Sequence, residues 1–221
     1  MIRLPAGTPH PPRLGTLAEA VSDDLLTDHD WYDVAITGDF AGAELDQLTM
    51  QCARGASAQF TGAAMERARL IDVVFEQCEL SGTRLEEASL TRVEFRDCRL
   101  SGAQFSAGGL TDVRFVNCRL DGSSFRMTHG DRVWFEGCVL TEAELYGAEL
   151  TAARFDRCDL TGADFSHARI PDASLRGSQL HGLRGIGGLQ RPVIDEAQVL
   201  PLAYSLMTVH GVVIHQEDDD Q

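Results

Sequence analysis

From Phe40 to Leu180, every fifth residue is large and apolar. Of the 29 positions on this comb, 27 are Phe, Leu, Met or Ile, and Gly55 and Gly130 are the exceptions. All ten Phe residues of the chain lie on it. The residue two before each comb position is Ala, Cys, Ser, Thr, Val or Gly everywhere except at Leu48. The phase never slips, so no loop interrupts the run. A helix repeats at about 3.6 residues and a strand at about 2, and neither produces five. A fixed repeat dictates architecture before local propensity does.

Each five-residue unit reads as one side of a square coil. The large residue and the small one two before it point inward, and the other three face solvent. Gly or a polar residue recurs two after the centre, where the chain turns the corner, as at Gly82, Gly102, Gly122, Gly137, Gly147, Gly162 and Gly177. Four sides close one turn, so equivalent positions must recur at twenty residues. They do, in columns such as Phe75, Phe95, Phe115, Phe135 and Phe155, and Cys78, Cys98, Cys118, Cys138 and Cys158.

Units such as ADFSH (163–167) and CELSG (78–82) resemble the pentapeptide-repeat family. The resemblance implies an all-β solenoid, a right-handed quadrilateral β-helix of about seven coils. At a strand spacing of about 4.8 Å such a rod is roughly 34 Å long. The chain divides into an N-terminal extension and cap (1–35), the β-helix (36–182), and a C-terminal segment with an acidic tail (183–221).

No apolar run is long enough for a membrane span. The first fifteen residues lack the apolar stretch of a signal peptide, so a cytoplasmic location is expected. Five of the six Cys occupy the small inward position, where Cys acts as a small hydrophobe. They are expected to be reduced thiols, not disulfides or metal ligands, and no cofactor is expected. The seven His are scattered, no Ser, His and Asp cluster is placed by the columns, and the core is filled by Phe and Leu. An enzyme is not expected.

The formal charge is −15, and every one of the 19 basic residues is Arg. Direct nucleic-acid binding needs basic patches, so it is not expected. Within residues 36–182 the acidic excess is uneven. The side centred on Phe75 is net +1, the Leu90 side −1, the Leu80 side −3 and the Leu85 side −4. Two adjacent sides carry the excess, which favours an acidic recognition surface over uniform solubility. Glu86, Glu87, Glu144 and Asp164 on the Leu85 side are candidate partner contacts. The net −7 is thin beside the roughly 20 charges of a DNA duplex of the same length.

Residues 126–134 break the pattern. Gly130 leaves a core position without a side chain, and Trp134 falls at an outward position between Arg114 and Arg154. Two readings stand. Met127 or His129 folds over the gap while Trp134 stacks between guanidinium groups. Alternatively Arg126, Met127, His129, Trp134 and Tyr146 form a partner-contact patch, since such residues anchor interfaces.

At the N-terminus, residues 1–15 are Pro-rich and read as extended or disordered. Thr16 and Glu19 have capping-box spacing, which predicts a helix over 17–26 covering the first coil. Trp31 and Tyr32 are placed in this cap. After Leu180 the comb ends in the turn-rich 182–188. Asp195 and Gln198 form a second capping box, and Leu200, Ala203, Leu206 and Met207 give an apolar helix face. Pro201 kinks this helix or lies in the first turn of a second one. Val212, Val213 and Ile214 read as a short strand after Gly211.

This ending resembles the DNA-mimicking, topoisomerase-protecting members of the family associated with fluoroquinolone resistance. The match is carried by Asp195, Gln198, Ala203, His210 and Gly211. It implies pairing of two subunits through Leu200, Ala203, Leu206, Met207, Val212, Val213 and Ile214, and DNA gyrase as the protein partner. The alternative is an interaction scaffold unrelated to topoisomerases.

Overall fold

The computed structural model describes residues 7–26 and 29–209. They form a parallel β-solenoid of about seven turns with one C-terminal helix. The strands, in chain order, are β1 (Ala18–Val21), β2 (Asp30–Tyr32), β3 (Val34–Thr37), β4 (Thr49–Ala56), β5 (Arg69–Glu76), β6 (Ser89–Arg96), β7 (Gly109–Val116), β8 (His129–Glu136), β9 (Glu149–Thr151) and β10 (Arg154–Asp156). From β4 to β8 each strand pairs with the next at a register of twenty residues, for example Phe75 with Phe95 and Leu70 with Leu90. These long strands cover the Leu90 and Phe75 sides, bending at a corner residue between them. The Leu80 and Leu85 sides are joined by single bridges such as Glu79 to Arg99 and Arg84 to Gln104.

The comb supplies the core. Phe95, Phe115 and Phe135 stack nearly parallel with centroids 4.8 Å apart, which is the spacing of hydrogen-bonded strands. A second column, Phe105 on Phe125, stacks at 4.8 Å and meets the first edge-on. Both geometries suit the aromatic quadrupole. The corners are left-handed turns, with φ near +55° at non-glycine residues such as Asp72, Arg92, Asp112 and Arg132. On the Leu80 side the corner is glycine in nearly every coil, from Gly62 to Gly182, but Glu142 (φ 56°) stands there too. Polar side chains tolerate this region less well than glycine does.

Both ends extend the coil beyond the comb by slipping one residue. At the start, Trp31 sits over Met50 and Ile36 over Gly55. Both are buried, and Trp31 packs on Phe40 with centroids 5.3 Å apart. At the finish, Ile170 bonds to Gly188 and Leu175 to Val193, and Leu189 is buried. The turn-rich 182–188 is therefore part of the final coil, not an exit from it.

The helix expected over 17–26 is not there. Ala18–Val21 is strand β1, laid parallel on β3 from Ala18 opposite Val34 to Val21 opposite Thr37, and only the turn α1 (Ser22–Leu25) is helical. An unpaired edge on β3 is the stronger demand. Val21 and Leu25 stand four residues apart, as on one helix face, yet Leu25 is buried and Val21 exposed. At the other end the capping box forms: Gln198 accepts from the Asp195 amide at 2.7 Å. It opens a 3₁₀ turn (Glu196–Gln198) that runs into α2 (Val199–Val209), with Pro201 in the first turn. There its missing N–H costs nothing. The Gln198 amide also donates to the Leu175 and Ser178 carbonyls, both at 2.6 Å, closing the last coil. His210, Gly211, Val212, Val213, Ile214 and the acidic tail lie outside the described residues.

Candidate surface sites

The N-terminal extension runs along the rod. Gly7 lies beside Ala152, the His10 amide donates to Asp112 Oδ1 at 3.0 Å, and the Arg13 amide donates to Asp72 Oδ1 at 2.9 Å. The arm thus spans several coils, along the corner between the Leu90 and Phe75 sides. Two carboxylates receive it because two arginines hold them in place. Arg92 forks onto Asp72 at 2.6 and 2.7 Å, and Arg132 onto Asp112 at 2.5 and 3.2 Å. Burial alone raises the pKa of Asp112, but hydrogen bonds from Arg132 and His10 outweigh it and hold the carboxyl at about 2. Asp72 is lowered in the same way, burial being outweighed by Arg92 and the Arg13 amide.

The Phe75 side beside the arm is internally neutralised. Arg54 and Arg96 both reach Glu76, Arg96 reaches Glu94 at 2.8 Å, and Arg114 joins Glu94 (3.6 Å) to Glu136 (3.0 Å). Trp134 is in this column, between Arg114 and Arg154 as strand parity requires. It is not an exposed anchor, being only 8% accessible, with the Arg154 guanidinium 4.2 Å from its ring centroid. The stacking reading was therefore right for Arg154. Neither Met127 nor His129 fills the gap at Gly130, for both are exposed. The space is taken by Leu150 and Val133, whose methyl groups lie 2.8 Å from where a Cβ at Gly130 would stand.

The Leu85 side carries a separate cluster. Arg126 lies over the Tyr146 ring at 4.6 Å, Tyr146 meets His167 at 4.9 Å, and Arg126 pairs with Glu144 at 3.5 Å. Met127 is 53% exposed beside it. Glu87 and Glu144 are exposed and Glu86 and Asp164 half-buried. Burial raises Asp164, but bonds from Ser166 and the charge of Arg184 bring it below the usual carboxylate range. His129 stands apart, 3.7 Å from Glu149. On α2, Leu200, Leu206 and Met207 are exposed and Ala203 is half-buried.

The inward cysteines are free, each thiol directed at a backbone carbonyl such as Phe75 for Cys98. Hydrogen bonding between neighbouring thiols, then burial, pushes Cys98 and Cys118 up to about 12. Such thiols are poor nucleophiles. Among the described residues no group of three or more His, Cys, Asp or Glu could hold a metal, and no helix is long and apolar enough to cross a membrane. Sequence reasoning missed His10, Arg13, Asp72 and Asp112. The Asp and Arg alternation at 72, 92, 112 and 132 was a readable signal of a paired ladder.

The chain is similar to several known proteins. A trypsin-treated variant of QnrB1, described as a plasmid-mediated fluoroquinolone resistance protein, is 26% identical, covering 84% of this chain and 90% of that one, with a TM-score of 0.46. Full-length QnrB1 is 24% identical over 81% and 89%, TM-score 0.46. HetL, a pentapeptide-repeat protein involved in heterocyst differentiation regulation in the cyanobacterium Nostoc sp. strain PCC 7120, is 20% identical over 74% and 86%, TM-score 0.25. No curated protein matches. Residues 48–125 and 109–184 match the family model for the pentapeptide repeat region. Those overlapping stretches span most of the chain, which belongs to the pentapeptide-repeat family.

Proposed function

We propose that this protein is a non-catalytic ligand of a type II topoisomerase such as DNA gyrase, and that its Leu80 and Leu85 sides stand in for the charge of DNA. One observation carries the reading: the acidic excess lies on the Leu80 and Leu85 sides, away from the corner along which the arm runs. On the Phe75 side Glu76, Glu94 and Glu136 pair with arginines of the same side, and the arm lies along the corner it shares with the Leu90 side. On the acidic sides, Glu87, Glu142 and Glu144 are exposed. A protein evolved to grip phosphates responds to such a field through steering.

The test is gyrase supercoiling with the purified protein present, with and without a quinolone. A change at about micromolar protein or below, the range of specific association, supports the reading. No change in either condition removes it.

The helix α2 presents Leu200, Leu206 and Met207 outward on the closed end of the rod. A second copy of the same helix is the proposed cover, giving an end-to-end homodimer. The rival reading, a scaffold for another protein, is favoured by one feature, the Arg126–Tyr146–His167 stack with Met127 beside it. Replacing Tyr146 and Met127 by Ala separates the two. It abolishes capture of a scaffold partner and leaves a charge-driven effect on gyrase intact.

A further inference from the structure

We propose that the groove along the Asp72–Asp112 corner is a docking site for an extended, proline-containing peptide segment of a protein partner, and that the chain's own arm is its tethered competitor. This surface is separate from the acidic sides, and the inference stands without them.

The groove reads backbone, not side chains. Asp112 and Asp72 stand two coils apart, and they accept the amides of His10 and Arg13, three residues apart in the arm. Two coils at about 4.8 Å make roughly 9.6 Å. Three residues of polyproline II chain, at about 3.1 Å each, make roughly 9.3 Å. The spacings match, so any such segment can place two N–H groups on the two carboxylates. No N–H is requested from the residues between, and in the arm these are Pro11 and Pro12. The recognised pattern is therefore two prolines flanked by residues that keep their amides. Polyproline II segments are common partner motifs because little entropy is lost on docking.

The carboxylates are prepared for this. Each is held by the fork of an arginine one coil away, and with the arm seated each is more than nine-tenths buried. The arm, by contrast, is an incomplete occupant. Arg114 Nε, on the wall of the groove, is buried without an acceptor. A cavity of about 110 Å³ remains between the arm and Glu94, Asp112 and Arg114. An unmet buried donor costs stability, and a longer or better-fitted segment supplies acceptors to it. The arm adds no strand pairing along this stretch; ladder bonding begins at Ala18, on Asp33. It is joined covalently to the rod through β1, so its advantage is effective concentration.

The test uses the full chain and a fluorescent peptide of residues 7–15, read by anisotropy. His10→Pro with Arg13→Pro removes both amides from the arm. The doubly substituted chain is expected to bind the peptide at least about tenfold more tightly than the unaltered one. That gain should vanish on adding Asp112→Asn, with thermal melts confirming that the rod is folded. A second control changes the peptide, on the same doubly substituted chain: the peptide with proline at both N–H-donating positions should not bind. Equal binding by the altered and unaltered chains overturns the proposal. So does equal binding of the two peptides.

Discussion

The imidazole Nδ1 of His10 lies 3.0 Å from Asp112 Oδ1, across 102 residues of sequence. With the Arg13 amide on Asp72, this contact ties residues 10–13 to the middle of the rod. It also sorts the four sides, since the arm lies where charge is already balanced and leaves the acidic sides open.

The arm's hold on Asp112 makes it acid-sensitive in a definite window. Asp112 has a folded pKa of about 2, below the roughly 3.9 of a free aspartate. A depressed carboxylate contributes stability above its unfolded value and loses it as pH falls through the folded one. Protection of the His10 amide against hydrogen exchange should hold down to about pH 4 and decline toward about pH 2. Protection already lost at neutral pH would show the arm detached.

Gly130 looks like a hole in the sequence and is not one in the structure. A Cβ there would meet Leu150 and Val133 methyls at 2.8 Å and the Leu110 carbonyl at 3.1 Å. Restoring the comb with Gly130→Leu should therefore overpack the core and cost about 1–3 kcal/mol in urea unfolding. A stabilised variant would mean that the neighbours yield.

Gln198 closes the last coil with three hydrogen bonds. Gln198→Ala leaves the Leu175 and Ser178 carbonyls without that donor. The expected loss is about 1–3 kcal/mol, since unmet buried groups carry the cost. Hydrogen exchange should speed most in the final coil around Leu175 and Leu189, while the Phe95 to Phe135 stack stays protected. Uniform destabilisation would contradict a local cap.

If α2 pairs two subunits, charge placed on its open face should separate them. Leu200→Glu with Met207→Glu is expected to convert a dimer to a monomer in sedimentation velocity, with the rod's melting temperature little changed. An unaltered sedimentation coefficient would exclude this face.

The solenoid was legible because each unit is complete in itself. Phe115 announces an inward ring by its place five residues after Leu110, with no knowledge of its distant neighbours. The slips at Trp31–Ile36 and Leu189–Ile194 escaped notice because one dropped residue breaks a strict count while leaving the stacking intact. The arm was illegible for another reason. Residues 7–14 have no period, and their register is set by Asp72 and Asp112 on another part of the chain. Trp134 shows the same limit: strand alternation tells which face a side chain takes, not what lies over that face. Val21 and Leu25 show local helical spacing overruled by an unpaired strand edge.

The central claim is that the open acidic sides, not acidity in general, engage a topoisomerase. The most direct measurement compares Glu87→Lys with Glu144→Lys, both on the open Leu85 side, against Glu76→Gln with Glu136→Gln on the neutralised Phe75 side, in binding to gyrase. The account predicts at least about a tenfold weakening for the first pair, a loss worth about 1.4 kcal/mol, and little change for the second. Equal affinity of the Leu85-side variant and the unaltered protein would contradict it.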